Sequence, residues 1–235
     1  MAVPNRTIVF VLGVLLLFLL INFNPDLGVA YSLIFILTIV LLLLDPKITI
    51  DLDLSRSNLL PDLIAGVASY ALFLGVTFVA LAFIQTTAQL LGLESIIGLM
   101  AEAQPVFEGN QFLSVVTFGF LVPIIENMFF FGVGMEFLSD KLNIPITLKE
   151  TRAYGLYGIV AFGFMLFHFT AKGLPSTAGA LVNDPALLIT FIFGFVMCIT
   201  VAFAKAQNGK KDLRPSIFAH QIANIIAVTR KIGLF

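Results

Sequence analysis

The sequence lacks several features that would indicate a soluble or metal-binding protein. Only 11% of its 235 residues are charged, whereas a soluble domain has about a quarter. There is no tryptophan, and the one cysteine, Cys198, lies in an apolar run. Neither a disulfide framework nor a cysteine-based metal site is therefore expected. No basic patch with interleaved aromatic residues occurs and the net charge is -1, so nothing indicates a nucleic-acid partner.

Several short catalytic motifs are also missing. The chain has no HExxH pair for zinc, no GxGD or GxSG motif of aspartyl or serine membrane proteases, and no glycine-rich phosphate loop followed by lysine. These absences argue against nucleotide use and against those classes of enzyme. No internal repeat or low-complexity tract stands out, so we expect a single domain over residues 1–235.

What the sequence has in abundance is apolar residues. They make up 59% of the chain, with 25 Phe and a mean hydropathy of +1.04. Several runs reach the ~20 residues that a hydrocarbon core of ~30 Å requires of a helix. The sequence therefore predicts an all-α fold, a polytopic transmembrane helical bundle of about seven spans. The predicted spans are residues 7–23, 28–44, 62–84, 112–138, 153–171, 186–204 and 215–232.

Two segments need a separate interpretation. Residues 86–110 have apolar residues at helical spacing and three Glu, which predicts an amphipathic helix on the membrane surface. The first apolar run is longer than the core of a signal peptide and lacks a small-residue cleavage site, so we expect it to be a retained helix.

The placement of Lys and Arg predicts the topology. With seven spans, ten of the thirteen cations fall on one side and three on the other. Cytoplasmic loops are the ones enriched in Lys and Arg. We therefore expect a multi-pass protein, in the plasma membrane, with a cytoplasmic N-terminus.

Polar residues inside the spans are the best functional candidates, because a charged group at a span centre costs at least ~2.5–3.5 kcal/mol. Glu126 and Asn127 lie in the fourth span and His168 in the fifth. His220 and Asn224 lie in the seventh, four residues apart and thus on one helix face. We expect Glu126 and the two histidines to lie within about 10 Å of one another around a hydrated cavity.

These residue types leave three interpretations open. In a hydrolytic site, Glu126 would take a proton from water, an imidazole would position that water, and Asn224 would donate to an oxyanion. Alternatively, Glu126, His168 and His220 simply pair and hold the helices together. A zinc set is the third interpretation, weakened by the lack of a local ligand motif.

The remaining polar and aromatic residues of these spans favour structural roles. Glu136 and Lys172 lie near span ends, from which their side chains are expected to reach the interface. The triplet at residues 129–131 is more typical of packing or lipid contact than of a binding site.

Three stretches of the chain resemble the type II CAAX prenyl endopeptidases and their bacteriocin-processing relatives, a family of glutamate-dependent intramembrane proteases. The first motif of that family is two Glu, three variable residues, Arg and usually Gly, and ENMFFFG aligns with it. The second is Phe, three residues and His, as in FMLFH, and the third is His, three residues and Asn, as in HQIAN. The resemblance covers about residues 112–230, the family-like catalytic core. The matching positions are Glu126, Gly132, Phe164, His168, His220 and Asn224.

The resemblance implies a hydrolase that needs neither metal nor other cofactor. It implies that Glu126 and His168 activate water, while His220 and Asn224 form the oxyanion site. The implied substrate is a hydrophobic or lipidated peptide delivered by the membrane, so lipids and this peptide are the expected partners.

The chain departs from the family at two supporting positions. Asn127 occupies the second Glu and Phe131 the Arg. Replacing an ion pair by a neutral couple can be nearly neutral for stability, which fits an active glutamate protease. The same loss also fits a pseudoenzyme, a non-catalytic scaffold or binding subunit with a membrane-protein partner.

Overall fold

The computed structural model describes residues 10, 12–15, 27–44, 56–90, 110–171, 185–209 and 211–232. In these residues the regular elements are helices, with no strand, which confirms the predicted all-α class. The predicted first span lies largely outside the described residues, as do most of the predicted surface helix 86–110 and Lys172. The helices are α1 Leu27–Leu44, α2 Arg56–Leu90, α3 Gln111–Leu142, α4 Thr151–Ala171, α5 Pro185–Asn208 and α6 Arg214–Lys231.

Three of the described helices contain segments long and apolar enough to cross a membrane. These are Leu59–Thr86 in α2, Gln111–Leu142 in α3 and Leu187–Asn208 in α5. Much of the apolar surface of α2 faces outward, with Phe78 75% and Phe83 73% exposed. Because water would not tolerate so large an apolar surface on a stable monomer, this side of the bundle suits contact with lipid tails.

The predicted spans at 153–171 and 215–232 are the helices α4 and α6, which are not among those three. Both pack against longer apolar helices: α4 lies on α5, and α6 lies on α2. Glycine permits a close approach in each pair. A Cβ on Gly194 would lie 3.1 Å from Ala161, and one on Gly66 would lie 2.7 Å from Phe218.

The helix α3 is not a regular α-helix. Val115–Leu121 and Asn127–Gly134 are π-helical, and they flank one α-helical turn, Val122–Glu126. Such insertions change which residues face the neighbouring helices and are frequent at functional sites. At the second junction Glu126 and Asn127 are both fully buried, so the change of register falls where the two polar residues enter the bundle.

A buried charged cluster joins α2 to the start of α6. The Arg214 guanidinium lies 3.0 Å from the Asp62 carboxylate of α2 and 2.7 Å from that of Asp212. All three residues are at most 5% exposed. The sequence did not predict this pairing, because Arg214 is only one of the thirteen cations that indicate the topology.

A second ion pair attaches the same connection to α3. The Lys211 ammonium lies 2.9 Å from the Glu136 carboxylate and donates to the Gly132 carbonyl at 2.8 Å. Burial lowers the pKa of Lys211, and the Glu136 charge opposes that shift. Glu136 is thus a half-buried partner for this lysine as well as a residue near the helix end.

Candidate active site

The carboxyl group of Glu126 lies between the two histidines. One of its oxygens is 3.6 Å from His168 Nε2, and the other is 3.4 Å from His220 Nε2. Glu126 and His220 are buried, and His168 is partly exposed. Three side chains from α3, α4 and α6 therefore meet at one point, well within the predicted 10 Å. Both distances exceed that of a standard hydrogen bond.

The backbone of α4 orients His168. Its Nδ1 lies 2.9 Å from the carbonyl oxygen of Phe164, one turn earlier. A carbonyl only accepts hydrogen bonds, so Nδ1 carries the hydrogen in this contact. The neutral ring then presents the lone pair of Nε2 to Glu126. A lone pair in that position is suited to accept a proton or to hold a water molecule beside the carboxyl group.

Asn127, the next residue on α3, contacts His220 on its other side. Its amide nitrogen lies 2.9 Å from His220 Nδ1 and 2.7 Å from the Pro123 carbonyl oxygen. His220 is therefore held along both edges of its ring, by Asn127 at Nδ1 and by Glu126 at Nε2. The residue that departs from the family motif is part of the site.

Asn224 lies one turn after His220 and binds α3 at a different point. Its amide donates to the carbonyl of Phe118 at 2.9 Å. In the π-helical register, the backbone donor to that carbonyl would be residue 123, a proline without an N–H. Asn224 thus supplies a hydrogen bond that Pro123 cannot. The amide nitrogen has a second hydrogen, which leaves a donor for a further partner.

Aromatic rings pack around the two imidazoles. The Phe164 ring centroid lies 4.3 Å from that of His168, and Phe193 lies 4.7 Å from His220 in an edge-to-face arrangement. Phe131 is fully buried and packs on Phe164 at 5.3 Å. The position of the family arginine is therefore occupied by part of this aromatic packing. The sequence did not distinguish Phe193 from the other phenylalanines.

The predicted packing role of the triplet at 129–131 agrees with its surroundings, since Phe129 and Phe131 are buried. Gly132, a further supporting position, is also buried, and its carbonyl accepts a hydrogen bond from Lys211. It therefore helps to attach the α5–α6 connection to α3.

A metal site is not evident in the described part of the chain. Among those residues, no group of three or more His, Cys, Asp or Glu side chains is arranged to hold a metal ion. The single cysteine is buried and packs in the core.

Comparison with known proteins gives one result for this chain. The family model described as Rce1-like, type II CAAX prenyl endopeptidase, matches residues 108–226, about half of the chain. The chain belongs to this family. The match contains all six motif positions, from Glu126 to Asn224. No curated protein and no solved structure matches significantly.

Membership of the Rce1-like family supports an activity within the membrane that resembles that of CAAX proteases. It also agrees with the three apolar helices that are long enough to span a bilayer. The family suggests a peptide substrate, and the exposed apolar helices suggest contact with lipids. Together these findings support a hydrolase embedded in the membrane.

Proposed function

We propose that this protein is a metal-independent intramembrane endopeptidase that uses Glu126 as its general base. The observation that carries the proposal is the carboxyl group of Glu126 lying 3.4–3.6 Å from Nε2 of both histidines, inside an apolar bundle. Burying an acid beside two imidazoles costs free energy, so the three groups are expected either to pair for stability or to take part in a reaction. The family membership favours reaction.

In the proposed reaction a water molecule binds between Glu126 and His168. Glu126 takes a proton from the water, and the water oxygen attacks the carbonyl carbon of the scissile peptide bond. His220 Nε2 and the second amide hydrogen of Asn224 donate to the oxyanion that forms. The C–N bond then breaks, and the leaving amine takes the proton from Glu126. No metal or other cofactor enters these steps.

The substrate we propose is a hydrophobic or lipidated peptide, such as a prenylated C-terminus. The outward apolar surface of α2 would keep the enzyme in the same lipid phase as a prenyl chain. A peptide held there by its lipid reaches the site at a high local concentration. We also infer that the protein resides in the plasma membrane. Its N-terminus would be cytoplasmic, since Lys141, Lys149 and Arg152 lie in the α3–α4 connection or in the helix turns beside it.

Cleavage in a reconstituted system tests this function. The protein in liposomes is incubated with a farnesylated peptide of the C-a-a-X type, with the same peptide lacking the lipid, and with an unrelated transmembrane peptide. Mass spectrometry should detect cleavage near the modified cysteine in the first peptide, unaffected by a metal chelator. Cleavage that the chelator abolishes would contradict the mechanism, and absence of cleavage in all three peptides would contradict the function.

A second candidate function is a non-catalytic scaffold or binding subunit. It is favoured by Asn127 and Phe131, which replace the two charged residues of the first family motif. In this case the protein would co-purify from native membranes with a membrane-protein partner in fixed stoichiometry. It would also hydrolyse none of the peptides above. Peptide cleavage by the purified protein alone would exclude this role as its only one.

A further inference from the structure

Asn127 contacts His220 through an atom whose identity the structure fixes. The same side-chain atom lies 2.7 Å from the Pro123 carbonyl oxygen and 2.9 Å from His220 Nδ1. Both Asn127 and His220 are buried, so water does not compete freely for these contacts.

The Pro123 carbonyl decides which way the amide of Asn127 points. An amide oxygen at 2.7 Å from a carbonyl oxygen would bring two acceptors into contact without a hydrogen between them, so the atom must be the nitrogen. That nitrogen has two hydrogens. One is donated to Pro123, and the other faces His220 Nδ1. A ring nitrogen that accepts this hydrogen needs a lone pair, and Nδ1 therefore carries no hydrogen of its own.

We propose that Asn127 is a positioning residue that holds His220 as the neutral tautomer with its hydrogen on Nε2, facing Glu126. The Phe164 carbonyl requires a hydrogen on His168 Nδ1, so a neutral His168 takes the opposite tautomer. The two imidazoles beside Glu126 therefore differ in role. His220 is a fixed donor through Nε2, and His168 is a fixed acceptor through the same atom of its own ring.

The tautomers follow from the contacts alone, and only their role in catalysis rests on the proposed function. In the reaction above, His220 Nε2 donates to the oxyanion, and a ring without hydrogen at Nε2 could not do so. A Glu at position 127 would accept a hydrogen from Nδ1 and so would favour the other tautomer or a charged ring. Asn127 gives a neutral donor at Nε2 without adding a second buried carboxylate, whose burial would be costly.

Nitrogen NMR tests the assignment directly. The chain has only two histidines, so protein labelled with 15N-histidine in detergent micelles gives two imidazole spin systems, and His168→Gln assigns them. His220 should show a protonated Nε2 and an unprotonated Nδ1, and His168 the reverse. A His220 ring with its hydrogen on Nδ1, or on both nitrogens, would overturn the proposal. This measurement on the unsubstituted protein needs no variant that folds and no substrate.

An Asn127→Asp variant tests the cause. A carboxylate at that position accepts instead of donating, so the hydrogen should move to His220 Nδ1 or the ring should become doubly protonated. The matched control is Gln221→Glu, which also exchanges an amide for a carboxylate on the helix of His220, but at a side chain that points to the Phe120 carbonyl. It should leave the His220 nitrogen shifts in their original pattern.

Both outcomes can be separated from failure of the proposed function. If Asn127→Asp leaves the tautomer of His220 unchanged, Asn127 does not set it, whatever the peptide assays give. If the tautomers agree with the proposal and no peptide is cleaved, the protease function fails while this assignment stands.

Discussion

The carboxyl group of Glu126 and the two imidazoles beside it could be found from the sequence, because polar residues within long apolar runs are rare and costly. The charged cluster of Asp62 and Arg214 could not. Both residues lie near helix ends, where charges are ordinary, and nothing in the sequence pairs α2 with α6. The contact between Asn127 and His220 was equally hidden, because Asn127 was noticeable only as a departure from the family motif.

Removing Arg214 should destabilise the fold strongly. The Arg214→Leu variant leaves the buried carboxylates of Asp62 and Asp212 without this cation, and breaking a buried pair in this way costs about 3–5 kcal/mol. Unfolding by heat or denaturant in detergent measures the loss of stability. The matched control is Arg152→Leu, whose partner Glu150 and whose own side chain are exposed, so it should cost less than about 1 kcal/mol. Equal losses in the two variants would contradict the structural role of Arg214.

Lys211 should make stability depend on pH. Burial lowers its pKa in the folded protein below the ordinary value of 10.5. Between the folded pKa and 10.5 the unfolded chain binds more protons than the folded one, so stability rises with pH across this window.

The Lys211→Met variant should lose the part of the increase in stability with pH that Lys211 causes. Unfolding midpoints between neutral pH and pH 10.5 can measure this loss. Lys149→Met, at an exposed lysine, serves as the control and should keep the full increase in stability with pH. The same pH profile in both variants would show that Lys211 does not contribute to this pH dependence.

At the level of helices, the boundaries were predictable and the internal register of α3 was not. Apolar runs end where polar residues and turns begin, so five of the six helices begin and end within four residues of the predicted ranges. The exception is α2, which extends six residues beyond the predicted 62–84 at each end. The π-helical segments Val115–Leu121 and Asn127–Gly134 depend on which neighbours each residue meets. A run that is apolar on all sides has no polar face from which such a change in period could be recognised.

Close packing of α2 on α6 should depend on Gly66. A Cβ at this position would lie 2.7 Å from Phe218 Cβ and 3.0 Å from the Pro215 carbonyl oxygen. Because neither atom is the end of a flexible side chain, Gly66→Ala should force the helices apart, at a cost of about 1–3 kcal/mol. The comparison is Gly75→Ala on the same helix, where no atom lies within 4 Å.

In detergent, the free energy of unfolding of Gly66→Ala should be well below that of Gly75→Ala. The second variant should be as stable as the unsubstituted protein or slightly more so, since alanine restricts the unfolded chain. If both alanines are tolerated equally, α2 and α6 are not packed as described.

For the whole molecule, the sequence predicted the all-α class but left the arrangement of its helices open. The two histidines lie on helices whose contact with Glu126 is tertiary, and hydropathy says only that each helix is apolar. The helices α4 and α6, although predicted as spans, are distinguished from the longer apolar ones by their polar residues.

The proposed topology places the ends of α3 on opposite sides of the membrane. Single cysteines at Gln111 and Lys149, both exposed, are introduced into a Cys198→Ala background. A membrane-impermeant thiol reagent added to intact cells should label the cysteine at position 111 and leave that at position 149 unlabelled until the membrane is opened. Labelling of position 149 from outside would reverse the proposed orientation.

The role of Glu126 is tested most directly by the peptidase activity of Glu126→Gln, compared with Glu136→Gln as a matched change ten residues along the same helix. Both variants are assayed in liposomes on the farnesylated peptide, with equal amounts of folded protein. Loss of the general base should lower kcat/KM by at least about 100-fold in the first variant, and the second should stay within a few-fold of the unsubstituted enzyme. Retained cleavage by Glu126→Gln would contradict the mechanism in which this carboxyl group activates the attacking water.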